Sequence, residues 1–542
     1  MKIQRYLPHI AALLAAATVT GVVASIVQTQ LVLGELSGFG IPLPAALRVW
    51  TTLEDLAMFG PVMTGIAFAS LLPAIVVAHR IMRITPGAWR NGVFAAASLA
   101  GVWVAFWMMR SVIPMPALPG TRGPLGHILM SLAGGVGGVL YATMSAPGRG
   151  TAQATAPGWP WRHGVLAAVL LFVPALLFFT TVPLAGDRPV DTPAASYQVQ
   201  TVTSGLNRPW SLAFLPDGRV LVTEMGGRLL AIAADGTRSE IALDGLAPIF
   251  RQGSTAGLMD IALDPQFDQN GWLYLTMGYG VASANGTRVV RARLANDRIE
   301  EVRVLFDSTP KPSAGNNGGR IAFLADGTLV LTVGDGSARR EEAQNPANHL
   351  GAVIRIDREG RPPADNPFIG QPGTAPELYS LGHRNAQGIT IDPTTGDLLL
   401  SEHGPRGGDE INRIVAGGNY GWPLVTGGID YPFARVTPFR RLQGYRDPML
   451  EWTPSIAPAG LAVYDGDLFP AWRGNLLVPA LKERAVRRVL RDGRRIVGQE
   501  LLLADLDERI RDVKVAPDGS IHVLTDGVEG KLLRLTPRTG GV

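Results

Sequence analysis

Four cations stand at comparable places in stretches far apart in the chain: Arg384 in GHRNAQG, Lys482 in ALKERAV, and Arg509 and Arg511 in ERIRDV. Gathered into one funnel they would repel one another unless an anion lay between them. A guanidinium binds a carboxylate through two parallel hydrogen bonds. The set therefore points to a small ligand with several carboxylates, against the plainer alternative of scattered surface charge. Asn385 and Ser455, the latter in WTPSIAPAG, are polar neighbours in the same kind of stretch. In SEHGPRGGDEIN, Asp409 and Glu410 lie in a glycine-rich loop, where carboxylates and carbonyls offer the hard oxygen donors that suit calcium. An ordinary surface turn is the alternative. SAGNNGGR, residues 313–320, is either turn chemistry built on Asn and Gly or one wall of an active site. As a wall it lacks an obvious proton acceptor.

These residues all lie in the second of two unlike halves. The chain has 542 residues, 46% hydrophobic and 17% charged, with a formal net charge of +4 and no cysteine. That excludes disulfides, thiolate nucleophiles and Cys-type zinc sites. No dense basic cluster is present, so nucleic acid is not an expected partner. Up to about Leu184 charges are sparse. Apolar runs near residues 7–28, 56–79, 91–109, 124–144 and 163–184 are each long enough to span a bilayer. The first follows Lys2 and Arg5 like a signal peptide but lacks a cleavage site, so it reads as a retained helix. The expectation is an all-α transmembrane bundle of five helices over residues 1–186. With the N-terminus inside, Lys2, Arg5, Arg80, Arg83, Arg90, Arg149 and Arg162 are cytoplasmic, against Arg48, Arg110 and Arg122 outside. The positive-inside rule then places the second half outside the cytoplasm, at an inner membrane. Trp159 and Trp161 suit an interfacial anchor. Gly134 and Gly138 predict a close helix crossing. His127 reads as an interfacial polar residue, or as one that touches a quinone headgroup. Glu54 and Asp55 read as solvated.

After a linker at 187–196, one pattern recurs over 197–542: an alternating strand, a turn often built on Asp-Gly, and a second alternating strand. Copies begin at Trp210, Leu258, Gly319, Gln387, Gly460 and Ile510. Six copies predict an all-β six-bladed β-propeller. The strand YQVQTV, from Tyr197, would complete the last blade and remove an open edge. Loops at one end of such a ring converge, so the cations above can share one site.

The ordered motifs GHRNAQG, SEHGPRGGDEIN, GGNYGWP, ALKERAV, ERIRDV and the NGGR loop resemble the soluble-type PQQ-dependent aldose and glucose dehydrogenases, the glucose/sorbosone dehydrogenase family. The resemblance covers about residues 197–537 and not the apolar half. It implies a six-bladed propeller that holds pyrroloquinoline quinone (PQQ), a tricarboxylate, at the channel mouth. Arg384, Asn385, Ser455, Lys482, Arg509 and Arg511 match cofactor-binding positions, and Gln252, in FRQGSTAGLMD, resembles a further pocket residue. The carbonyls of Gly404 and Pro405 match ligands of the calcium that polarises the quinone. Asp409, Glu410 and the Tyr420 carbonyl match a structural calcium site.

The resemblance also implies a histidine general base where this chain has Asn316, beside Arg384 in the catalytic set. An amide is a poor proton acceptor, because a general base works best with a pKa near the operating pH. His403 and His383 are the nearby substitutes, but they lie in motifs where the family also tends to have His. Three readings follow. The first is a membrane-anchored sugar dehydrogenase that delivers electrons to a quinone or a cytochrome. The second is a PQQ- or sugar-binding sensor with weak or no turnover. The third is a structural propeller, which has no need of a tricarboxylate funnel.

Overall fold

The computed structural model describes residues 6–112, 118–146, 197–252, 255–312 and 315–538. The described residues form two compact units, a helical one that includes Ile429–Pro438 and one made of the described residues from Tyr197 onward without that segment. The predicted fifth span at 163–184, the anchor tryptophans and the linker lie outside the described residues.

The helical unit contains α1 (Leu7–Gly38), α2 (Ala45–Met58), α3 (Gly60–Ile81), α4 (Arg90–Val112) and α5 (Pro124–Met144). Of these, α1, α3, α4 and α5 are long and apolar enough to cross a membrane, in agreement with four of the predicted runs. The helix α2 was not expected. Its 14 residues mix Thr, Arg, Glu and Asp with apolar side chains, which dilutes any spanning signal. It stops just before Pro61, which opens α3 at a position where the missing N–H does no harm. Asp55 is not solvated as expected: it is 2% exposed and accepts the Thr29 hydroxyl at 2.7 Å. The small-residue crossing is present. A Cβ on Gly134 would lie 2.7 Å from the Ser98 carbonyl, and one on Gly138 would lie 2.3 Å from that of Phe94, so α5 and α4 meet through their backbones. His127 is buried against Trp103 and Phe106, with Nε2 3.2 Å from the Trp103 carbonyl.

The second unit is a ring of six four-stranded antiparallel sheets. Blades 1 to 5 run Pro209–Ile241, Leu258–Asp307, Ile321–Leu381, Ala386–Trp452 and Ala462–Leu502. Blade 6 combines Ile510–Pro537 with the early strand Tyr197–Leu206, whose Tyr197 pairs with Pro537. The predicted closure is thus present. Alternation along the strands explains why both faces of a sheet are buried. In blade 1, Val220 and Val222 pack toward blade 6 with Leu524 and Leu532, while Leu221 packs toward blade 2 with Leu273 and Leu275. The Asp-Gly turns do what their residues allow. In three blades Gly218, Gly327 and Gly519 take positive φ, and the preceding Asp217, Asp326 and Asp518 accept the amide two residues on.

Candidate active site

The axis of the ring is pinned by Arg320, the last residue of the SAGNNGGR loop. It is buried, and its guanidinium meets Asp260 at 3.3 Å and Asp512 at 3.1 Å. It also donates to the Gln387 carbonyl at 2.7 Å and lies 4.0 Å over the Trp210 ring. Five blades are thereby tied to one cation. Arg320 thus serves the frame, and the asparagines before it are held at a fixed place beside the channel.

A closed circuit of contacts gathers the predicted residues around that place. Asn316 donates from Nδ2 to Asp335 Oδ1 at 2.7 Å. The Asp335 amide donates to the Arg384 carbonyl, and Arg384 donates to the carbonyls of Gly404 (2.9 Å) and His403 (3.2 Å). The Gly404 amide donates to Asp409, whose other oxygen accepts the Ser455 hydroxyl and the amides of Ile456 and Ala457. The Lys482 amide returns to the Ile456 carbonyl. Arg509 reaches the Leu481 carbonyl at 3.2 Å and Asp526 at 2.9 Å, and Asp526 is shared with Arg511. Arg511 contacts Gln387 at 3.5 Å, and Gln387 contacts Asn385 at 3.3 Å. Asn385 accepts the Gly318 amide, two residues from Asn316. Gln252 joins through its loop, because Asn317 donates to the Thr255 carbonyl.

The electrostatics of this circuit are cationic. His403 donates from Nε2 to the Pro458 carbonyl at 2.7 Å, and its imidazole is held down to about 3 by burial and by Arg384, Arg511 and Arg509. Burial lowers the Arg511 guanidinium too, against Asp526, with Arg320 and Arg509 adding repulsion. Arg511 Nε and Gln252 Oε1 are buried without a partner among the described residues. Buried polar atoms are normally paired, so the orphans on this cationic rim fit an anionic, hydrogen-bonding ligand such as a tricarboxylate.

The carboxylates divide by what already occupies them. Asp409 is buried; one oxygen accepts three donors and the other the Gly404 amide alone, and burial raises its carboxyl to about 6. The oxygen with one donor keeps an acceptor position of the kind a metal uses. Glu410 lies between Glu402 and Glu451 on neighbouring strands. Burial first, then Glu402, push its carboxyl well above the usual range, the situation a cation would relieve. The Tyr420 ring stacks on His383 at 4.7 Å while its hydroxyl donates to the Arg413 carbonyl. Among the described residues no three His, Asp or Glu side chains converge as a metal-ligand set. A calcium here would rest on Glu410, on the less occupied oxygen of Asp409 and on carbonyls, with Arg384 yielding that of Gly404.

Two residues escaped the sequence reading. Asp335 is 1% exposed and also accepts Trp422 Nε1 at 2.8 Å and the Ser337 amide at 2.7 Å. Burial raises its carboxyl and Arg384 opposes the rise. Lys311 is buried nearby, lowered to about 8 by burial with Asp335 opposing. A signal for Asp335 was present: an acidic residue stands at the end of the second strand or within two residues past it in four copies, as Glu224, Asp335, Glu402 and Asp526. In each case it holds the loop that enters the first strand or a neighbouring side chain.

Residues 206–534 match the family model described as Glucose / Sorbosone dehydrogenase. The chain is 38% identical over 351 residues to the aldose sugar dehydrogenase of Escherichia coli, covering 64% of this chain and 94% of that protein. It is 27% identical over 444 residues to quinoprotein glucose dehydrogenase B of Acinetobacter calcoaceticus, covering 67% and 92%. The crystal structure of the soluble E. coli aldose sugar dehydrogenase in its apo-form superposes with a TM-score of 0.61 at 37% identity, over 63% of this chain and all of that one. The PQQ-bound aldose sugar dehydrogenase of Streptomyces coelicolor gives 0.50 at 27% identity, over 64% and 99%.

Proposed function

Because the chain belongs to the glucose/sorbosone dehydrogenase family, we propose that it is a PQQ-dependent dehydrogenase oxidising an aldose sugar. The observation that carries this reading is the cationic circuit with its orphaned Arg511 Nε and Gln252 Oε1. Arg384, Lys482, Arg509 and Arg511 would hold the cofactor's carboxylates. Asn385, Ser455 and Gln252 would supply directional hydrogen bonds. The Gly404 and Pro405 carbonyls would take the calcium beside the quinone, and Glu410 with the Tyr420 carbonyl a structural one. When bound, PQQ supplies the two-electron acceptor, the part of the chemistry that amino-acid side chains lack.

The chain's own residues bind, orient and screen. Trp422, 5.5 Å from the Arg384 guanidinium, forms a wall that fixes that cation. Asp409 ties Gly404 to Ser455, so the two loops keep their spacing. The apolar helices anchor the enzyme, with the N-terminus cytoplasmic and the propeller on the periplasmic side. Electrons go on to a membrane quinone or a cytochrome.

The test is PQQ affinity of the full chain in detergent with calcium, read by quenching of tryptophan fluorescence. Losing one charge-assisted contact at Lys482→Ala weakens binding about 10- to 100-fold, equivalent to roughly 1.5–3 kcal/mol. Unchanged affinity would remove the cofactor assignment.

A further inference from the structure

We propose that the sugar proton leaves through an amide–carboxylate pair, with Asn316 Oδ1 receiving the substrate hydroxyl and Asp335 as the terminal proton acceptor. This rests on the dehydrogenase reading.

The orientation of the amide follows from its partner. A carboxylate can only accept, so the Asn316 nitrogen must be the end turned to Asp335, at 2.7 Å. That leaves Oδ1 as the other end. It has no hydrogen-bond partner among the described residues, and Asn316 keeps 9% exposure. Asn316 takes φ +44°, a region that Asn tolerates better than most side chains. Its carbonyl accepts the Gly336 amide, so the same strand end that carries Asp335 also fixes the backbone of Asn316. The Gly318 contact to Asn385 seats this amide beside a candidate cofactor-binding residue.

The other bases near the site are occupied or unsuited. His383 is fully buried with Nε2 at 2.9 Å from the Ser380 hydroxyl and Nδ1 at 2.9 Å from Glu402. His403 has its Nε2 proton committed to the Pro458 carbonyl at 2.7 Å. Lys311 stays protonated at neutral pH and acts as a nearby positive charge. Asp335 is the remaining acceptor. Burial raises its carboxyl while Arg384, Asn316, Ser337 and Trp422 hold it back.

The step balances as follows. The hydroxyl O–H breaks and its proton goes to Asn316 Oδ1. One Nδ2 proton passes to Asp335 Oδ1, leaving the amide as its imidic tautomer and Asp335 as a carboxylic acid. The carbinol C–H breaks with its electron pair, as hydride to the o-quinone cofactor, and the carbinol becomes a carbonyl. Asp335 then returns its proton to Nδ2 as the imidic O–H is lost to water.

The experiment compares the full-length wild type, Asp335→Asn and Asn316→Ala, in detergent with PQQ and calcium. The probes are D-glucose, D-galactose and D-xylose with a dye acceptor. PQQ affinity, single-turnover rate against pH, and infrared titration of the cofactor-free protein are read in parallel. Both variants are expected to bind PQQ within about threefold of wild type and to lose roughly 10²–10⁴-fold in rate, the size of a general-base contribution. The infrared spectrum should show a carboxylic acid band that is absent in Asp335→Asn and titrates at a shifted pH in Asn316→Ala. Its wild-type midpoint should match that of the rate. Turnover surviving in Asp335→Asn with PQQ bound, or no Asp335-dependent band, overturns the relay and leaves the dehydrogenase standing. No turnover of any probe by PQQ-loaded wild type removes the dehydrogenase reading and the relay with it. If Asp335→Asn fails to bind PQQ, Asn316→Ala decides: an unchanged rate and band sink the relay.

Discussion

In blade 4 the carboxylate that ends the second strand, Glu402, holds the imidazole of His383; in blade 3 a carboxylate two residues past the end of the second strand, Asp335, holds the amide of Asn316. The acid plays the same part in both. The held groups differ in what remains free. His383 has its second nitrogen on Ser380 and its ring stacked on Tyr420. Glu402 also takes the Arg384 amide and Asn412 Nδ2, so this pair is a fastening. Asn316 has only one end fastened. A histidine in this fold is therefore no sign of a base, and an asparagine no sign of its loss. What matters is which atom is left over once the frame has taken its share.

Three changes would break or sharpen that contrast. The largest effect is expected from Glu402→Ala. It strands the Arg384 amide and His383, and each buried donor without an acceptor costs roughly 1–3 kcal/mol. Urea unfolding should show the summed loss, and a change of a few tenths would mean that the blade 4 pair fastens nothing. Next is Asn316→His, which gives blade 3 the imidazole of blade 4 with its second nitrogen free. Sugar-dependent dye reduction should rise by at most about tenfold, because the imidazole takes over a general-base contribution the pair already makes rather than adding a second one, with PQQ affinity unchanged. A flat rate would mean that Asp335 already removes the proton without limiting turnover.

The smallest effect concerns His403. Its imidazole is held down to about 3 in the fold and titrates near 6.5 when unfolded. Between those pH values the unfolded chain carries the extra proton, so the fold loses stability as pH falls from about 6.5 toward 3. Asp409 works the other way. Its carboxyl, raised to about 6, protonates first in the fold, so its contribution weakens as pH rises from 3.8 to about 6. Comparing wild type with His403→Gln by urea unfolding at pH 4, 5, 6 and 7 isolates the histidine. The variant should be the less acid-sensitive of the two, and parallel curves would contradict the depressed imidazole.

The blades were legible because alternation, Asp-Gly turns and the repeat all agree, and because Val220, Leu221 and Val222 must each find a core on one side or the other. The nearness of Arg384, Arg509 and Arg511, all three of which act on His403, was legible for the same reason, since the repeats carry them to one end of the ring. The role of Asp335 was not. A lone Asp before Gly336 reads as a turn, and only the third dimension brings Asn316 and Trp422 onto its two oxygens. The helix α2 escaped because it is short and mixed, and Asp55 with it, since only the fold supplies Thr29 as its partner.

The strand Tyr197–Leu206 is made some 340 residues before the strand it pairs with, if counted from Tyr197 to its partner Pro537. During synthesis the growing propeller is therefore an open crescent, with one finished strand waiting and one blade face bare. Such edges are where chains pair wrongly. The ring snaps shut only when its last strand emerges, so a truncation of even a dozen residues at the C-terminal end would leave every blade present in outline and the circle without its clasp.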